Sequence, residues 1–409
     1  MPFPIASSTL APTLLVALLL GPGETRLKES DHKALGKLVG SYFTAQSEEK
    51  GIFEAGQKVI DQIASIEKRL KGASLLASVA DWEQVFRLAT DDRLKETLKK
   101  RGEVSSHQLE GVTFAYCVPK KAPKTALPLI LIACDAGEAP AAHLEAHWND
   151  PTLREGAILM AVDLGKDSQS WGMFGSPTTP GGTFLLMPAL KIIQDQFPVD
   201  HNRRFLAGSG KGFAAVEITA ACLPYLFAGV IGIGDVAATD LANFENFRTL
   251  PSLFLKGGDG AKAIEGKLTE LGYSNAKLEP EGGAAQAWAW IGATQRDAYP
   301  EHITYVPKDD RAGSTPWLSL VGFGVAEKPR VEARADKASN TITIDAQKIS
   351  SLVVFLNDEL VDLEKPVKFV INGAAHERKV ERNPVDMLQN QFRVGDWGRV
   401  FTAFVTPDV

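Results

Sequence analysis

The sequence predicts an α/β protein: a doubly wound, mostly parallel sheet with a helical region ahead of it and a small β module behind it. Three observations carry this reading. The runs "LPLILIAC", "GAILMAVDL" and "FAGVIGIGD" are almost continuously apolar, the pattern of strands buried on both faces. They alternate with stretches that can hold helices, "GGTFLLMPALKIIQDQF", "FAAVEITAACL" and "AKAIEGKLTELG", which implies right-handed crossovers and ligand sites beyond the C-terminal strand ends. At both ends of this stretch the composition changes, and these changes mark the domain boundaries.

Residues 1–25 contain the uncharged apolar run "TLLVALLLGPG" at 13–23, of signal-peptide length and too short for a confident membrane span. Export to the periplasm or exterior is expected, with a tether through an uncleaved segment as the variant and no stable membrane span once the signal is removed. Residues 27–103 are rich in Lys, Glu, Gln, Ala and Leu, and Val59, Ile60, Ile63, Ile66 and Leu70 fall on one helical face. A small helical bundle without a chemical motif follows from that. From residue 104 to 328 the rhythm is strand, loop, helix, with "VTFAYCVP", "RRFLAG" and "PSLFLKGG" as further strands. Residues 329–409 read as short strands, "RVEARAD", "NTITIDA", "SLVVFLND" and "VKFVINGAA", the last with a hairpin signal in "ING".

Composition narrows the function. With 44 % hydrophobic and 23 % charged residues the 409-residue chain has the make-up of a folded globular protein, and a net charge of −6 offers no basic surface for nucleic acid. Cys117, Cys134 and Cys222 show no C-x-x-C spacing, so buried thiols are expected rather than a zinc site or a disulfide framework. His143 and His147 in "AAHLEAHW" would share a helix face, but two ligands do not make a metal site and no third stands at recognisable spacing. Neither metal nor cofactor is expected. The implied partner is a small-molecule, polymer or peptide ligand.

The chemically informative stretch is "FLAGSGKGFAA" at 205–215, on a strand end before a helix. A phosphate-binding P-loop requires Gly-Lys-Ser/Thr four residues after a first glycine, and here Gly210-Lys211 is followed by Gly212 with Phe205 five positions before Gly210. A dinucleotide turn requires a third glycine where Phe213 stands. The nucleophile elbow G-x-S-x-G fits best: Gly208 and Gly212 take its outer positions, but Gly210 takes the centre and the hydroxyl, Ser209, lies one residue early.

The longer stretch "FPVDHNRRFLAGSGKGFAAVEITAACLPYLFAGVIGIGD", together with "VPKKAPKTALPLILIAC", "HWNDPTLREGAILMAVDL", "RDAYPEHITYV" and "ELVDLEKPVKFVING", resembles secreted α/β-hydrolases of the polyhydroxybutyrate depolymerase, feruloyl esterase and S9 peptidase type. It is similar in particular to exported planctomycete hydrolase-like proteins with a helical N-terminal region and a C-terminal β extension. The resemblance spans about residues 104–375. It implies an α/β-hydrolase core, a nucleophile at Gly210, an acid near Asp259 in "LFLKGGDG", and a base in "AKLEPEGGAAQAWAW", where no histidine stands. His302 in "YPEHITYV" reads as a surface residue of a later strand. The resemblance also places oxyanion-hole amides at Lys211 and Ala136, with Asp135 of "CDAGEA" in the loop where the family has His-Gly. Trp171, in "DSQSWGMFG" after the strand "AILMAVDL", is expected to line the same cleft. A carboxylate at Asp135 opposes a developing oxyanion. Two functions follow as expectations: a catalytically degenerate hydrolase homologue kept as a binding or scaffold module, or a serine hydrolase of esters or peptides using a displaced Ser209 with Asp259.

Overall fold

The computed structural model describes residues 27–121 and 125–408. The apolar run at 13–23 lies outside them. No helix among the described residues is long and apolar enough to cross a membrane.

Three helices open the chain: α1 (Glu29–Ser47), α2 (Ile52–Arg69) and α3 (Val79–Asp91). The predicted stripe is the buried face of α2, with Val59, Ile63 and Ile66 turned inward. The central layer is an eight-stranded sheet of β1 (Ser105–Leu109), β2 (Val112–Cys117), β3 (Leu127–Ala133), β4 (Ile158–Val162), β5 (Val199–Ser209), β6 (Gly229–Ile233), β7 (Ser252–Leu255) and β8 (Ala276–Glu279). Their order is β1-β2-β4-β3-β5-β6-β7-β8. β2 runs antiparallel to β1 and β4, and every pairing from β4 across to β8 is parallel.

Helices cover both faces because alternate strand residues point to opposite sides. Leu129, Leu131, Met160, Val162 and Leu206 face one layer, built on α6 (Gly182–Gln196), α7 (Gly212–Cys222) and α8 (Asp259–Glu270). Ile130, Ile132, Leu159, Ala161, Phe205 and Ala207 face the other, built on α4 (Pro140–His147), α5 (Pro151–Gly156) and α9 (Ala284–Ala293). All three cysteines are buried and free.

The C-terminal module has two small sheets. One has the order β15-β14-β12-β11-β9, from β9 (His302–Tyr305), β11 (Arg330–Asp336), β12 (Thr341–Gln347), β14 (Val367–Ile371) and β15 (Ala374–Arg378). The other is β10-β13-β16, from β10 (Leu318–Gly322), β13 (Ser351–Leu356) and β16 (Ala403–Val405). Asn372 and Gly373, with φ of 48° and 84°, form the hairpin turn that "ING" predicts. The module's sheets begin before residue 329, for β9 pairs with Val331–Arg334 and β10 with β13. A tenth helix, α10 (Pro384–Val394), capped by Asn383, packs Met387 and Leu388 into the core of the N-terminal helices.

Candidate functional site

The stretch 205–215 is the expected strand-to-helix turn: β5 ends at Ser209 and α7 begins at Gly212. Gly210 carries φ of +49°, the left-handed conformation in which a side chain is strained. Gly212 is required for a different reason. A Cβ there would stand 2.6 Å from the Ala133 carbonyl oxygen, so only glycine lets the start of α7 approach the end of β3.

What occupies the space above Gly210 decides the character of the site. A Cβ on Gly210 would lie 2.5 Å from the carboxyl carbon of Asp135 and 2.8 Å from its Oδ1. That same Oδ1 accepts the backbone N–H of Ala136 at 2.7 Å and of Lys211 at 2.9 Å. The two amides to which the resemblance gives the oxyanion therefore both donate to one carboxylate oxygen of the chain itself, and the carboxylate overlaps the volume of any side chain at 210.

The loop that carries Asp135 is held by a relay from α4. Glu138 Oε2 accepts the Asp135 N–H at 3.3 Å and lies 2.8 Å from His143 Nδ1. His143 is fully buried, and its Nε2 accepts the indole N–H of Trp148 at 3.4 Å. An indole N–H only donates, so Nε2 is the acceptor and the neutral ring carries its proton on Nδ1, which donates to Glu138. Burial pushes the His143 pKa down and keeps the ring neutral. Glu138 brings the third donor that sequence spacing did not supply, and Glu138, His143 and His147 offer ligand atoms within 4.8 Å of one another. His143 donates from Nδ1 to Glu138, which in turn accepts the Asp135 N–H, while His147 Nε2 stands 4.0 Å from Glu138 Oε1.

The remaining candidates do not assemble. Ser209 Oγ is buried and has no hydrogen-bond partner among the described residues. Strand alternation turns it to the side of Phe205 and Ala207, toward α4, α5 and α9. Asp259 is the first residue of α8, its side chain 99 % exposed and paired with Lys262 at 3.0 Å, so it does not meet Ser209. Trp171, expected to line the cleft, is 1 % exposed and belongs to the core with Leu186 and Phe213, because the loop after β4 folds back over α6. His302 sits on β9 and pairs with Glu332 at 2.8 Å, as a later-strand residue should. Gly208 packs against the Phe213 backbone at the start of α7.

Sequence reasoning missed Glu217 on α7. It is fully buried and accepts from Thr239 N at 2.7 Å, Thr239 Oγ1 at 2.8 Å, Asp240 N at 3.0 Å and Asn243 Nδ2 at 2.6 Å. Burial pushes its pKa up against these donors, and the residue ties the loop after β6 to the elbow helix. A lone glutamate inside "FAAVEITAACL" was the available signal.

The sheet, mostly parallel with helices on both faces, is a doubly wound α/β fold. No protein-family model matches the sequence, and no curated protein matches it. Among solved structures, the chain is similar to a thermostable esterase at 18 % identity, over 47 % of this chain and 63 % of that one, with a TM-score of 0.38. It is similar to an S-formylglutathione hydrolase from Agrobacterium tumefaciens at 15 % identity, over 46 % and 94 % of the two chains, with a TM-score of 0.37. Est1E from Butyrivibrio proteoclasticus shares 14 % identity over 47 % and 97 %, with a TM-score of 0.34. Likenesses this distant transfer no activity to the chain.

Proposed function

We propose that this protein is a catalytically degenerate α/β-hydrolase homologue that serves as a binding or scaffold module. The observation that carries the reading is the Asp135 carboxylate, which accepts the amides of Ala136 and Lys211 and stands where a side chain at 210 would stand. Nucleophilic catalysis needs an attacking atom, a base in reach of it and donors free to hold the oxyanion. Gly210 offers no attacking atom. The donors hold an internal anion, and a negative charge there repels the oxyanion it would have to admit. Ser209 does not replace the missing serine, since its buried Oγ has no base beside it.

The reading is tested with a fluorophosphonate probe and an activated ester on the purified protein. Expected are no covalent labelling and no turnover above that of Ser209→Ala. Labelling or turnover that Ser209→Ala abolishes would overturn it and restore the displaced serine.

A further inference from the structure

Burying a guanidinium without a carboxylate partner is costly, and buried polar hydrogens are nearly always bonded. Arg399 breaks both rules. It is 6 % exposed, and among the described residues no carboxylate lies within ion-pair distance of it. Its Nη1 donates to the carbonyls of Thr315 and Pro316, both at 2.9 Å, and its Nε is buried with no acceptor. Its neighbours Arg204 and Arg296 differ, for they share the Asp396 carboxylate at 2.9 Å and 2.5 Å.

Arg399 lines a cavity of about 400 Å³ where the segment after α7, the C-terminal module and α10 meet. Its guanidinium lies over the Tyr225 ring, 4.2 Å from the centroid, and Phe355 and Phe401 add two further aromatic walls. Arg393 of α10 brings a second, exposed guanidinium to the same cavity, and Ser319 a hydroxyl. Burial holds the Arg399 pKa below the usual arginine value, against the opposing pull of the Asp396 charge.

We propose that this cavity binds a small organic monocarboxylate, with the carboxylate on Arg399 and Arg393 and an apolar, ring-sized body against Tyr225, Phe355 and Phe401. The chemistry selects the class. The exposed Arg393 guanidinium can take a planar carboxylate in two-point fashion, Arg399 adds positive charge from the cavity wall, and the aromatic walls reward a hydrocarbon body over a fully hydrated inorganic anion. The site lies past the far end of α7, an 11-residue helix and so about 16 Å from the elbow. It goes beyond the proposed function and does not depend on whether the elbow is inactive.

The test is calorimetric titration of the full chain with phenylacetate, phenylacetamide and inorganic phosphate. Expected are a Kd for phenylacetate of about 1 mM or tighter, and binding of the neutral amide at least about tenfold weaker. Arg393→Gln, an exposed position, should weaken phenylacetate several-fold, and Arg399→Lys about tenfold or more. Because Arg399 is buried and bonds two carbonyls, a readout independent of its variant is added: phenylacetate should raise the wild-type Tm while leaving that of Arg393→Gln less changed. No phenylacetate binding, equal affinity for the amide, tighter binding of phosphate, or an Arg393→Gln affinity equal to wild type would each overturn the proposal. Ser209-dependent labelling by the fluorophosphonate would sink the degenerate-hydrolase reading alone and leave this site standing.

Discussion

If the Asp135 carboxylate and a side chain at 210 compete for one volume, Gly210→Ser and Asp135→Ala must be strongly non-additive. The magnitude follows from the geometry. Serine in the left-handed conformation of residue 210 costs about 1–2 kcal/mol by itself. Its Cβ would also overlap the carboxyl carbon, so the carboxylate must leave and give up two charge-assisted hydrogen bonds, about 3 kcal/mol for a half-buried pair. Gly210→Ser alone should therefore destabilise by about 4–5 kcal/mol, and Asp135→Ala alone by about 3 kcal/mol. In the double variant the bonds are already lost and only the backbone strain is added. It should cost about 4–5 kcal/mol in total, leaving a coupling near 3 kcal/mol.

Urea denaturation of the four proteins, followed by tryptophan fluorescence, measures the cycle. Amide exchange at Lys211 and Ala136 reports locally: both amides should lose protection in Asp135→Ala and in Gly210→Ser. Additivity within about 0.5 kcal/mol would refute the shared volume, since independent sites add to that precision.

Asp396→Asn should destabilise by about 3–5 kcal/mol, because the carboxylate is fully buried and is the shared partner of Arg204 and Arg296; a loss below about 1 kcal/mol in the same urea assay would contradict this. Burial beside Tyr299 raises Glu83 to about 7 from its ordinary 4.5, so the folded state favours its protonated form, and its contribution is full below pH 4.5 and lost as pH rises through about 7. Glu83→Gln should abolish that loss, a gain of up to about 3 kcal/mol at pH 8 over wild type, read as Tm against pH. Burial lowers His201 to about 4 from 6.5, and here the sign reverses: its contribution is present above pH 6.5 and lost as pH falls toward 4. A His201→Gln variant whose Tm falls as steeply as wild type between pH 6.5 and 4 would count against that assignment.

What the sequence made legible is what local pattern controls. Continuous apolar runs marked β3, β4 and β6, the spacing of Gly208, Gly210 and Gly212 marked the elbow, and Asp135 was placed beside the oxyanion amides. β1 and β8 escaped because edge strands such as "SSHQL" and "AKLE" carry polar residues and lack the buried-strand signature. α10 had a readable start in Asn383-Pro384, but its apolar stripe is short. The charged core was invisible for a different reason. Arg204 and Asp396 are 192 positions apart, and Arg296 and Asp396 are 100 apart, and no spacing rule spans such separations. Asp259 failed because a turn position says which strand end a residue follows but not where its side chain points.

On the proposed reading, the arrangement at the elbow supplies a steric reason for the loss of catalysis. A serine at 210 and a carboxylate bridging the Ala136 and Lys211 amides exclude each other sterically, so an active elbow and the present loop are alternative states of one volume. The present state is held from behind: Trp148 fixes the His143 tautomer, His143 donates to Glu138, and Glu138 accepts the Asp135 N–H. A ligand carboxylate arriving at the two amides must displace one that is tethered next to them, and tethering gives the internal group an effective concentration in the millimolar range or above. Weak acids from solution lose that contest. On this reading, a binding function for the molecule is to be sought at cavities whose polar groups still lack a partner, and the one over Arg399 meets that condition.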